Sequence, residues 1–201
     1  MNIDFVFALE IIGTIVFAIS GASVAIQEKM DLLGVCILGM TTAVGGGTIR
    51  DLVLGITPPA AFQHPFFALT ALVTSLLVFL FARQDVIDLD GWLYTISDSL
   101  GLAVFTITGA LTGVSSGNPF LIVFVGCITG VGGGVMRDVF ANRKPVIFQK
   151  HVYATASLAG AVVFAVLSQF NRYSAAAVGG AVIFILRILA YKNKWDLPRA
   201  E

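Results

Sequence analysis

The chain has 201 residues, of which 57% are hydrophobic and 12% charged, about half the charged fraction of an ordinary soluble domain. Twelve Lys and Arg balance twelve Asp and Glu, so bulk charge points to neither nucleic acid nor an acidic partner. The only cysteines, Cys36 and Cys127, lie in apolar stretches, which argues against a disulfide framework or a metal site.

The apolar residues fall into seven blocks, at about 5–25, 33–56, 66–82, 92–113, 119–141, 152–169 and 173–191, and the mean hydropathy is +0.92. A helix needs ~20 apolar residues to cross a bilayer. The expected fold class is an all-α integral membrane protein with seven transmembrane helices, a single membrane domain over residues 1–201. The first block follows Met1-Asn2-Ile3-Asp4, which lacks the basic stretch of a secretory signal, and reads as a retained helix carrying Glu10. The second block contains Thr42, the triplet Gly45-Gly46-Gly47 and the pair Arg50-Asp51. The third is uncharged. The fourth contains Asp98, and the fifth contains Thr129, Gly132-Gly133-Gly134 and Arg137-Asp138. The sixth starts beside His151 as the third starts beside His64; one imidazole on each side of the membrane cannot form a metal site. In the seventh, Gly179-Gly180 reads as a packing pair. Connections are short, so successive helices are expected side by side.

Basic residues near block ends set the orientation. With alternating spans, Lys29, Arg83, Arg143, Lys144, Lys150, Lys192, Lys194 and Arg199 collect on one side and Arg172 on the other. The basic side is expected to be the cytoplasmic face of a prokaryotic inner membrane, with the N-terminus outside and the C-terminus inside. Trp92, Tyr94, Tyr191 and Trp195 are expected at that interface.

The sequence repeats itself. Gly45 to Asp51 recurs as Gly132 to Asp138, 87 positions on, and Pro58 and His64 recur as Pro145 and His151. Upstream the offset is 88: Glu10 matches Asp98, Gly13 matches Gly101, and Phe17 to Ala22 matches Phe105 to Ala110. The units run over 4–84 and 92–170, with the helix at 173–191 outside them. Each unit has three spans, an odd number, so the second is expected upside down relative to the first.

Glycine costs a helix interior ~1 kcal/mol relative to alanine, so two triplets at membrane depth predict two breaks, facing protein or a water-filled cavity. The other reading of the triplets is close helix packing. Charges inside membrane helices usually mark a pathway or a pair. Glu10 and Arg50 each lie ~8–9 Å inside the outer boundary, and Asp98 and Arg137 come to similar depth from the other side. They are therefore expected as depth-matched pairs, either structural or forming a gate. Asp51 and Asp138, rotated ~100° from their arginines, are expected to face elsewhere, towards a cavity. Thr42 and Thr129 either back-bond to their own helices or offer hydroxyls to a passing ion.

The doubled GGGxxRD motif, each copy on the second helix of a three-helix unit and followed by a lone seventh helix, resembles the TRIC family of trimeric intracellular cation channels. It is most similar to the prokaryotic branch, whose repeat is also described as a bacterial glycine-transporter domain. The resemblance implies a homotrimer with a pore in each protomer, lined by kinked second and fifth helices and passing monovalent cations, chiefly potassium. The kinks carry over to Gly45, Gly46, Gly47, Gly132, Gly133 and Gly134, and the charged motif ends to Arg50, Asp51, Arg137 and Asp138. Animal members have basic lipid-binding features and longer tails, and phosphoinositide binding is not expected to carry over to this chain. The expectation is a potassium-type channel in membrane lipid, without cofactor, metal, nucleic acid or enzymatic activity. The alternative is a secondary transporter of a small zwitterion such as glycine, its carboxylate held by half-helix N-termini after each triplet.

Overall fold

A computed structural model describes residues 3–83, 91–148 and 152–195. Among these, the chain forms eight α-helices: α1 (Ile3–Gln27), α2 (Leu32–Val53), the single turn α3 (Ala60–Gln63), α4 (Pro65–Arg83), α5 (Trp92–Gly113), α6 (Pro119–Phe140), α7 (Ala154–Leu167) and α8 (Arg172–Asn193). Six of them are long and apolar enough to cross a membrane. A 22-residue helix such as α2 is ~33 Å long, enough for the ~30 Å hydrocarbon core.

The sixth block departs from expectation. Of the apolar run at 152–169, only Ala154–Leu167 is helical, 14 residues or ~21 Å, shorter than the core is thick. The run is bounded by composition, and the residues at its ends, Val152-Tyr153 and the polar Ser168-Gln169, lie outside the helix. Lys150, His151 and Arg199 lie outside the described residues, as does most of the connection from Arg83 to Gly91. His64 ends α3 and donates its backbone N–H to Ala60 O.

Helix starts follow from side chains that take up orphan backbone donors. Asp31 accepts from Gly34 N at 2.8 Å to open α2. Asn118 accepts from Phe120 N at 3.0 Å, with Pro119 as the first residue of α6. Asn171 accepts from Tyr173 N at 2.9 Å and Ser174 N at 3.1 Å to open α8.

At the centre, α1 packs on α2, α4 and α5, while α5 packs on α6, α7 and α8. The two sets meet where α2 crosses α6. Without a hydrophobic drive between helices in lipid, small residues let backbones approach. A β-carbon on Gly179 would lie 2.9 Å from Gly160 O, and one on Gly160 2.7 Å from Gly179 O, so α7 and α8 are in backbone contact there. This agrees with the packing role expected of Gly179.

Candidate functional site: two arginine clusters about a glycine crossing

Both glycine triplets sit inside uninterrupted helices, and this corrects the expectation of broken backbone at Gly45-Gly46-Gly47 and Gly132-Gly133-Gly134. The physical reason is the partner each triplet meets. A β-carbon on Gly46 would collide with the carbonyl oxygen of Thr129, and one on Gly133 with that of Thr42. A β-carbon on Gly45 would lie 2.6 Å from Met136 Sδ, and one on Gly132 3.1 Å from Ile49 Cδ1. The triplets are the flat faces on which α2 and α6 cross, each pressed against the turn before the other. Thr42 and Thr129 are fully buried there and back-bond to Leu38 O and Val125 O, both at 2.6 Å.

The third glycines differ. Nearest to a β-carbon on Gly47 would be Arg50 Nη2 at 3.9 Å, whereas one on Gly134 would lie 2.9 Å from the hydroxyl of Tyr153.

Beyond each triplet stands an arginine. Arg50 Nη1 donates to Glu10 Oε1 at 2.7 Å, and its Nε to Asp51 Oδ1 at 2.8 Å. Arg137 Nη1 donates to Asp98 Oδ1 at 2.6 Å, and its Nε to Asp138 Oδ1 at 2.8 Å. Both pairs expected from depth are therefore present. Asp51 and Asp138 turn back onto their own neighbours. Their second oxygens accept Ala60 N at 2.8 Å and Val146 N at 2.9 Å, which ties each arginine to the helical turn that follows. The expectation that the two aspartates face away from their arginines is thus corrected, while Asp51 does border a cleft.

The surroundings of the two clusters part company. Glu10, Thr14, Gly47, Arg50, Asp51 and Phe67 line a narrow cleft of about 30 Å³. The Glu10 side chain keeps 16% of its exposure, while the side chains of Asp98 and Arg137 have none. Ser20 accepts from Arg137 Nη1 at 2.6 Å, Tyr153 OH donates to Asp98 Oδ1 at 3.3 Å, and the Arg137 guanidinium lies 5.1 Å from the centre of the Tyr94 ring. Arg187 of α8 reaches Asp98 Oδ2 at 3.4 Å and lies 4.5 Å over the Tyr153 ring.

The architecture is shared with proteins already known. The glycine-transporter family profile matches residues 7–83 and 95–169. The UPF0126 membrane protein YvgT of Bacillus subtilis is 38% identical over 192 residues, 94% of each chain. The UPF0126 inner membrane protein YadS of Escherichia coli is 44% identical over 161 residues, 80% of this chain and 77% of that one. A structure solved as the basis for conductance through TRIC cation channels superposes with a TM-score of 0.87 at 40% identity, over 100% of this chain and 98% of that one. The chain belongs to the prokaryotic TRIC family. The family orthologue from Rhodobacter sphaeroides superposes with a TM-score of 0.88 at 35% identity, over 94% of this chain and 97% of that one. Like these relatives, the protein is an integral membrane protein and not an enzyme.

Four members of the buried cluster escape the sequence reading. Ser20 and Tyr153 carry no charge to mark them. Tyr94, expected at the interface, also turns its ring to Arg137. Arg187 did carry a signal: it is a lone arginine six residues, ~9 Å, inside the end of an apolar helix.

Proposed function

We propose that the protein is a potassium-type monovalent cation channel, a homotrimer with one pore per protomer between α2 and α6, the second and fifth spans. The observation that carries this is the full-length likeness, at 40% identity, to a solved TRIC cation channel. Three-helix units over 4–84 and 92–170, the second inverted, account for the reciprocal contacts Gly46 with Thr129 and Gly133 with Thr42. The family profile's two stretches, 7–83 and 95–169, support the same units.

Cations approach through the cleft at Glu10 and Asp51. The α2–α6 crossing closes the path, with Thr42, Thr129 and the glycines Gly45, Gly46, Gly47, Gly132, Gly133 and Gly134 forming the constriction. Rearranging the Glu10–Arg50 and Asp98–Arg137 pairs would gate it, with Asp51 and Asp138 holding the arginines to the loops that would move. The zwitterion-carrier reading relied on half-helix N-termini after each triplet, and α2 and α6 run on unbroken there.

The test is purified protein in liposomes, comparing potassium flux with labelled glycine uptake. Potassium flux far above carrier turnover, without saturable glycine uptake, is expected; the reverse would sink the channel reading. The outside N-terminus is tested separately. A cysteine replacing Ser115 should react with an impermeant thiol reagent in intact cells and one replacing Lys194 should not; the opposite labelling inverts the orientation.

A further inference from the structure

We infer that Arg187, on the helix outside the repeat, makes the two ends of the conduction path electrically unequal by neutralising and covering Asp98. The inference rests on the channel reading above. In the first cluster, Glu10 and Asp51 face the single arginine Arg50, which leaves one negative charge beside the cleft. In the second, Asp98 and Asp138 face Arg137 and Arg187, and among the described residues no charge is left over. Arg187 has no counterpart in the first unit, because α8 lies outside the repeat. Without it, the second cluster would carry the same single negative charge as the first.

The manner of attachment separates the two arginines of that cluster. Arg137 is held by Asp98, Asp138 and Ser20, all at 2.8 Å or less, faces the Tyr94 ring and leaves only its Nη2 buried without a partner. Arg187 has one long bond to Asp98 and the face of Tyr153, and its Nε and Nη1 are buried without a partner. A buried donor left unpaired is costly, and an apolar side chain of similar size would pack there without that cost. Packing therefore does not explain an arginine at this position, whereas neutralising Asp98 does. Arg187 also bears on the tyrosine that covers Gly134. The residue 87 positions before Tyr153 is Phe66, which is 54% exposed, and Gly47 is correspondingly open.

A fixed charge at one end of a pore concentrates cations there, so current is larger when potassium enters from that end, most strongly at low salt. The test is single-channel recording of the full chain in planar bilayers with equal, low potassium chloride on both sides. Currents at equal and opposite voltages are compared. The unmutated protein should rectify by roughly twofold or more. Arg187→Gln should bring the ratio towards one and raise the smaller current, while Arg187→Lys, which keeps the charge, should retain rectification. An Arg187→Gln protein that folds and rectifies like the unmutated one overturns the inference.

If Arg187→Gln does not fold, Tyr153→Leu, which removes the ring under the guanidinium, should weaken rectification, and Tyr153→Phe should not. Equal, undiminished rectification in both overturns the inference. Potassium current without rectification in the unmutated protein overturns it and leaves the channel reading standing. No potassium current at all overturns both.

Discussion

Arg50 and Arg137 are built into the fold in the same way: an acid from the preceding unit helix on one side, the adjacent aspartate on the other, and that aspartate's free oxygen on the next turn of backbone. What surrounds them is not the same. Arg50 opens on a cleft and Arg137 is sealed. The differences come from outside the motif, from Tyr94 where the first unit has Val6, from Tyr153 where it has Phe66, and from Arg187 on a helix with no match. The motif sets the geometry of an ion pair. Whether that pair meets water is decided by residues a motif search does not see.

The largest effects are expected at the arginines. Arg137→Ala should destabilise the protein by ~3–5 kcal/mol, because it leaves dry carboxylates behind. Arg187 still touches Asp98 and softens the loss. Arg50→Ala should cost roughly half as much, since Glu10 is only partly buried. Unfolding in detergent measures both, and equal losses would erase the distinction between open and sealed clusters. Adding Asp98→Ala to Arg137→Ala should recover part of the stability, as neighbours in one network do not add.

Smaller effects are expected at the crossing. Gly46→Ala and Gly133→Ala each drive a methyl into a backbone carbonyl, and each should cost ~1–3 kcal/mol. Here the two halves should behave alike. At the third glycine they should differ. Gly47→Ala meets only Arg50 Nη2, at 3.9 Å, and should be neutral or stabilising by ~0.4–1 kcal/mol, whereas Gly134→Ala meets Tyr153 and should lose that gain. Identical effects at Gly47 and Gly134 would mean that Tyr153 does not cover the second site.

The two ion pairs were legible in the sequence because helical rise converts residue number into depth, and depth matches partners without any knowledge of side-chain rotation. The directions of Asp51 and Asp138 were not legible. A 100° step places a β-carbon but not the carboxylate, which swings back to the neighbouring guanidinium. The triplets misled for a related reason: helix propensity is local, and the backbone of a crossing helix, a tertiary contact, overrides it. Arg187 was visible as a buried charge, yet matching repeats to each other does not reach a helix that stands outside them.

The glycine crossing also constrains how the two halves could have diverged. If the units arose by duplication, most of their positions have since been free to drift apart, as Tyr153 and Phe66 have. The middle glycines have not, because each lies against the backbone of the other copy rather than against a side chain that could change to suit it. A mutation at either middle glycine finds no compensating substitution in its partner, since a carbonyl cannot be mutated away. At the crossing, the symmetry of the sequence is thus enforced by contact between the two units.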